Sequence, residues 1–347
     1  MKMAIGTTKF CKCFQDLRQS FLQSYVLHSI SSSQTLLEES IQAAIKTKTY
    51  HQIPDLLSST IVEPKNNFNP FSFLSTFSND LKTQIIDEIL QSFITLRPRT
   101  RPHLAHAYLL SHTLQNPNPL PIALAVLQRT LRSGAVPVPQ THLSLSSAWL
   151  DRRRQSQSVS DILSDLRSIG YFPDRSTCNY LIASLCAVDQ WTEAVRVLKE
   201  MGGAGCEPDS ESYSLVIGKM CERRKSGEAV ELVKEMVGEI GLTPKQRVLV
   251  RVVAAMRANR EIRGGVEMIE FLERRGCNVG FESYEMVVEG CLERGEFVLG
   301  GKVVMAMVGR GFLPYIGVRQ RVFEGLIGVG QWKLACAVRQ RLAQLNS

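Results

Sequence analysis

The sequence predicts an all-α fold, an α-solenoid of stacked antiparallel helical hairpins, and three columns of residues carry that expectation. The first is a glycine that returns at Gly134, Gly170, Gly205, Gly241, Gly276 and Gly311, in steps of 36, 35, 36, 35 and 35 residues. The second is a proline three residues later, at Pro137, Pro173, Pro208, Pro244 and Pro314, with Val279 where the proline is missing. The third is a small residue inside each expected second helix: Ala123, Ser158, Ala194, Ala229, Gly265, Gly300 and Ala335 recur at 35 or 36 residues. Small side chains there let two helices approach closely. A glycine can end a helix and a proline beyond it forbids continuation, so each Gly-x-x-Pro closes one hairpin and opens the next.

The elements follow from the chain in order. Residues 1–32 hold Lys2, Lys9, Lys12 and Arg18 against the single acid Asp16, with many hydroxyl residues and no continuous apolar core, the composition of an organelle transit peptide rather than a secretory signal. Residues 33–103 read as a helical N-terminal cap. Leu36, Leu37, Ile41, Ala44 and Ile45 give residues 33–58 a helical stripe, 61–73 (IVEPKNNFNPFSF) reads as an irregular connection, and Leu81, Ile85, Ile86, Ile89, Leu90 and Phe93 form a second stripe after Asp80. Hairpins then follow one another through 104–138, 139–174, 175–209, 210–245, 246–280, 281–315 and 316–347. The clearest is 175–209: Leu181, Ile182, Leu185 and Cys186 line one helix, and Ala194, Val197, Leu198 and Met201 line the next. Asp189 is placed to cap that second helix and Gly202 and Gly203 to end it.

The stretches TCNYLIASLC and EAVRVLKEM, with the turn and PD that follow, resemble the pentatricopeptide repeat, whose pattern is roughly TYNxLIxxLC, a turn, then EAxxLxxEMxxxGxxPD. SYSLVIGKMC with EAVELVKEM in 210–245 matches nearly as well, and SYEMVVEGCL is recognisable in 281–315. The resemblance covers about two thirds of the chain and is to the plain class of the family. The tetratricopeptide alternative has a period of about 34 and a Trp-Leu-Gly/Tyr signature that does not occur here. The resemblance implies a right-handed superhelix and an organellar location, with the mitochondrion as the expected address and the chloroplast as the alternative; the family's longer members carry a zinc editing domain of the His-x-Glu and Pro-Cys-x-x-Cys type, which is not expected here because the sequence ends before one could start.

Composition sets further bounds. A hydrophobic fraction of 44% and a mean hydropathy of -0.04 are ordinary for a soluble chain, and no apolar run spans a membrane. The formal charge of +8 and pI of 9.1 favour a polyanionic partner. From Arg97 to Arg154 eight arginines (Arg97, Arg99, Arg101, Arg129, Arg132, Arg152, Arg153, Arg154) face one acid, Asp151, which accounts for seven of the eight net charges. The nine cysteines form no CxxC pair; Cys186 and Cys221 share one repeat position and Cys206 and Cys277 another, so they read as small buried hydrophobes in a reducing compartment. All six histidines precede residue 143, no Gly-rich phosphate loop occurs, and no catalytic residue, metal site or cofactor is expected.

The resemblance implies the binding residues. In the family the fifth and last residues of a repeat read one base of single-stranded RNA. Here the best pair is Asn179 with Asp209, the combination the family uses for uracil; the plainer reading makes Asn179 polar helix surface and Asp209 a helix cap. Leu143 with Asp174, Ser214 with Lys245, Val250 with Gly280 and Glu285 with Tyr315 are not reading pairs. The second residues, Ser176, Glu211, Arg247 and Glu282, are not the aliphatic side chains that sandwich a base. A cationic rim forms a second candidate surface, with Arg152, Arg153, Arg154, Arg223, Arg224, Lys225, Arg257 and Arg260, and Arg294 after them, near the ends of successive first helices. Such cations could hold phosphate or simply complement the helix dipole. The expected function is binding of single-stranded RNA in organelle transcript processing, stability or translation. The rival is a scaffold for protein partners, such as an organellar ribosome-associated protein.

Overall fold

The computed structural model describes residues 33–59, 68–96, 102–115, 120–155 and 158–345, and these contain α-helices and short 3-10 turns and no strand. The expected leader 1–32, most of the irregular stretch 61–73, and Arg97, Arg99 and Arg101 lie outside the described residues. The chain folds as two compact units, Met1–Thr177 and Cys178–Ser347.

In the first unit, α1 occupies 33–46 and α2 Ile53–Ser59; α3 follows at Asn79–Ser92, α4 at His103–Gln115, α5 at Leu120–Arg132, α6 at Gln140–Arg153 and α7 at Val159–Ser168. The stripe predicted after Asp80 is buried at Ile85, Ile86, Ile89, Leu90 and Phe93 but turns Leu81 outward. Helix α4 packs along α5, and α5 in turn meets α3 and α7. The core is apolar, centred on Trp149 and on Leu120 to Leu127 of α5, every one of which is buried. One expectation fails here: Ser158 is not inside the second helix of its hairpin. It is the N-cap of α7 and accepts the Asp161 amide N–H at 3.0 Å, because a short hydroxyl side chain with extended backbone satisfies a helix-start donor better than it fills a helix contact.

The second unit takes in α8 from its fourth residue onward (α8 is Arg175–Ala187), then α9 (Trp191–Glu200), α10 (Ser210–Glu222), α11 (Ser226–Gly238), α12 (Gln246–Ala258), α13 (Ile262–Arg274), α14 (Phe281–Glu293), α15 (Phe297–Gly309), α16 (Ile316–Gly328) and α17 (Trp332–Leu345). From α10 onward the leading helices pack on one another, α10 on α12, α12 on α14 and α14 on α16, and each also on its own trailing partner. The stripes predicted for 175–209 are buried throughout, as are Ala194, Ala229, Gly265, Gly300 and Ala335 of the small-residue column.

All six turn glycines are left-handed, with φ between 73° and 84°. Each closes its helix by the same reversal, in which the residue after the glycine donates its N–H back to a carbonyl in the last turn; Cys277 to Leu272 at 2.9 Å is one case. Val279, standing in for the missing proline, is 6% exposed, buried as Pro137, Pro244 and Pro314 are at the same place in their turns.

A further column went unread in the sequence. Between the two helices of a hairpin, Asp189, Arg224, Arg260, Gly295 and Gly330 are all left-handed. Asp189 therefore ends α8 rather than capping α9, which starts after Gln190 with no side-chain cap; the Asp189 carboxylate instead reaches Lys219 Nζ at 2.8 Å and Arg223. Nor do Gly202 and Gly203 end α9. They sit in a 3-10 turn, Met201–Ala204, and Gly205 makes the reversal, because only it adopts the left-handed conformation.

Candidate nucleic-acid interface

The site is built where the middle of one leading helix meets the start of the next. Asn179 lies in α8, and its Nδ2 donates to Asp209 Oδ1 at 3.5 Å while its Oδ1 accepts from Ser212 Oγ at 2.6 Å. Asp209 is the N-cap of α10. Its Oδ1 accepts the amide N–H groups of Glu211 at 3.0 Å and Ser212 at 2.9 Å, and its own N–H donates to Ser212 Oγ at 3.1 Å, which completes a capping box. The cap and the contact with Asn179 are therefore one cluster. Ser212 has a single hydroxyl proton, and it lies closer to Asn179 Oδ1 than to Asp209 Oδ1, which is 3.0 Å away.

The same juncture recurs with other chemistry in the second unit. Ser214 is buried and donates to the Ser210 carbonyl at 2.5 Å, while its partner position, Lys245, is paired with Glu211. Gly280 donates its N–H to Gln246 Oε1 at 2.7 Å. Glu285 is only 5% exposed; one carboxylate oxygen accepts the Tyr315 amide N–H at 3.2 Å and the other has no hydrogen-bond partner among the described residues. Burial pushes the Glu285 carboxyl above its ordinary range, and the Tyr315 amide pulls the other way. In the first unit Asp174 accepts from the Thr177 amide at 2.9 Å and from Arg132 Nε at 2.8 Å, and Leu143 is 66% exposed.

The charges expected to stand bare are paired instead. Glu211 binds both Lys245 and, at 3.1 Å, Arg247, so the carboxylate at that second position is compensated from the next hairpin. Arg152 reaches Asp165 at 3.3 Å, Arg154 reaches Asp151 at 2.8 Å, and Lys225 reaches Glu228 at 3.6 Å. Arg223 is held by Asp189, and Arg257 by Glu293 and by Glu289 at 2.7 Å. The Arg257 hydrogen bond is the largest influence holding the Glu293 carboxyl below its ordinary range. Arg153 is half-buried at the end of α6, and Arg294 reaches Glu296 at 3.5 Å. Arg224 and Arg260 differ: both occupy the left-handed turn, both are exposed, and neither forms an ion pair among the described residues.

Sequence reasoning missed these pairings although a signal was available. Asp189 to Arg223, Glu211 to Lys245, Glu211 to Arg247 and Arg257 to Glu293 are separated by 34, 34, 36 and 36 residues. Opposite charges one repeat apart become neighbours when hairpins stack. It also missed a groove of about 300 Å³ between the leading helices, lined among others by Glu211, Gly218, Lys219, Arg247 and Arg251.

Among the described residues no helix is long and apolar enough to cross a membrane, and no group of three or more His, Cys, Asp or Glu could hold a metal ion. Cys186, Cys206, Cys277 and Cys291 are buried and Cys221 is half-buried; burial pushes the Cys186 thiol up to about 12 and that of Cys221 to about 11, so neither is a thiolate at neutral pH.

Comparison with known proteins adds the following. A PPR repeat family model matches residues 173–222 and a PPR repeat model matches 211–239. A pentatricopeptide repeat-containing protein of Arabidopsis thaliana is 60% identical over 319 residues, 92% of each chain. Among solved structures, the maize pentatricopeptide repeat protein PPR10 aligns over 85% of this chain and 44% of its own, with 18% identity and a TM-score of 0.40. PPR10 in complex with an 18-nt psaJ RNA element aligns over 89% and 53%, with 15% identity and a TM-score of 0.36. This chain thus spans about half the length of those solved chains.

Proposed function

The chain belongs to the pentatricopeptide repeat family, as a relative 60% identical over 92% of its length shows, and from that premise we propose that it binds single-stranded RNA along its leading helices. The observation that carries the reading is the Asn179–Asp209–Ser212 cluster. An amide and a carboxylate from successive hairpins stand side by side there, which is the hydrogen-bonding chemistry a base edge needs. Asn179 and Asp209 are the base readers of this proposal. The rim residues Arg152, Arg153, Arg154, Arg223, Arg224, Lys225, Arg257 and Arg260 contribute phosphate attraction, with Arg224 and Arg260 the most available and the ion-paired members acting only when phosphate displaces a carboxylate. Exposed ion pairs are worth about 0–1 kcal/mol, so a polyanion can displace them.

The proposed setting is organelle RNA metabolism, in transcript processing, stability or translation; the basic, hydroxyl-rich residues 1–32 support organelle import, with the mitochondrion as the proposed address and the chloroplast as the alternative. Catalysis and cofactors have no part in it. The test is crosslinking in cells followed by sequencing of RNA recovered with the tagged protein. Enrichment of defined transcripts is the expected result. The scaffold reading rests on a specific observation, the internal closure of the Glu285 and Ser214 positions. Recovery of a stoichiometric protein partner with no RNA above a tag control would establish it and overturn RNA binding.

A further inference from the structure

We infer that Arg251, on the wall of the groove between α10 and α12, is a phosphodiester contact for the RNA; this rests on the RNA-binding reading above and places one backbone phosphate inside the wall rather than at its rim. The groove encloses about 300 Å³ and is lined by three cations, Lys219, Arg247 and Arg251, and two carboxylates, Glu211 and Glu222. Two of the cations are already engaged. Lys219 Nζ lies 2.8 Å from Asp189 and 3.6 Å from Glu222, and Arg247 lies 3.1 Å from Glu211, which also binds Lys245. Arg251 is exposed and forms no ion pair or hydrogen bond among the described residues, so the groove keeps one cation in excess.

The backbone beneath it is shaped to match. Residue 218 faces the guanidinium and is glycine: a Cβ there would stand 3.0 Å from an Arg251 terminal nitrogen, closer than an ordinary contact. The planar group can therefore lie down against α10 with its fork of donors turned into the groove, the geometry that suits a phosphate oxygen pair. An arginine in an otherwise apolar helix run, Val248 to Met256, also needs a reason to be there. No carboxylate among the described residues pairs with it.

The test is binding of a fluorescein-labelled oligouridylate to the full chain and to Arg251→Gln and Arg251→Lys, measured by anisotropy over a series of salt concentrations. Arg251 is exposed, and unchanged circular dichroism melting will show that the fold is intact. The expected result is a weakening of about five- to tenfold in Arg251→Gln, with the slope of log affinity against log salt reduced by about 0.7, the value for one phosphate on a single strand. Arg251→Lys should restore the slope and part of the affinity. Weakening with an unchanged slope would make the contact one to a base and overturn the assignment, as would no weakening at all. Absence of binding by the unaltered chain would overturn the RNA reading itself, and this inference with it.

Discussion

Asp209 caps α10, and substitution can separate that cap from its proposed base-reading role. Its Oδ1 accepts two backbone N–H groups of α10, at 3.0 and 2.9 Å, and also meets Asn179 Nδ2 at 3.5 Å. Asp209→Ala removes the cap, which costs about 1 kcal/mol for a helix N-cap, and leaves the Glu211 and Ser212 donors to water. Because 1 kcal/mol is roughly a fivefold change in an equilibrium, amide exchange of the peptide that begins α10 should quicken by about that factor in Asp209→Ala. Asn caps as well as Asp, so Asp209→Asn should lose at most the charge–dipole part, about 0.3–1 kcal/mol. As a base reader Asp209→Asn is not conservative: it replaces a pure acceptor with an amide that also donates, and the preference for uridine at one nucleotide should fall while affinity for the rest of the strand holds. The assay pairs hydrogen-exchange mass spectrometry with competition between oligouridylates carrying a single substituted base. If Asp209→Asn exchanges as fast as Asp209→Ala, the cap has been misassigned; if Asp209→Asn keeps the full uridine preference, Asp209 does not read a base.

Three further outcomes are expected. Arg260, at φ 62°, holds a place where the chain itself uses Gly295 and Gly330 one and two hairpins later in the column, so Arg260→Gly should raise stability by about 0.5–1 kcal/mol and Gly295→Ala should lower it by about 1 kcal/mol, both read from urea unfolding. A fall in stability for Arg260→Gly would refute the left-handed assignment. The Glu285 carboxyl is raised by burial, so its stabilising contribution is complete below its ordinary value of 4.5 and is lost as pH rises through the higher folded value; Glu285→Gln should therefore gain stability relative to the parent on going from acid to neutral pH, and parallel pH profiles would count against it. A Cβ at Gly325 would overlap the ring of Phe297, so Gly325→Ala should cost about 1–3 kcal/mol despite the better helix propensity of alanine. In Gly325→Ala combined with Phe297→Leu the loss should be less than the sum of the two single changes, as thermal melts will show.

Much of this molecule was legible because its code is local. A left-handed glycine, a proline beyond it and an apolar stripe fix backbone angles and helix faces within a few residues, and the glycine is left-handed at every turn from Gly134 to Gly311, the one at Gly276 included, where Val279 replaces the proline. Asn179 and Asp209 were likewise found as a pair by their places in one repeat. The charges resisted reading for the opposite reason. Whether Arg223, Arg257 or Lys245 is available depends on a carboxylate about one repeat away, and only stacked hairpins bring Asp189, Glu293 and Glu211 within reach.

The sequence by itself determined the helices, their hairpin pairing and the family. Tertiary structure alone decided which cations are spent on neighbouring hairpins and which, Arg251 among them, have no ion pair among the described residues. The physical reason is range: backbone conformation is set by neighbours along the chain, whereas compensation of a charge is set by neighbours in space.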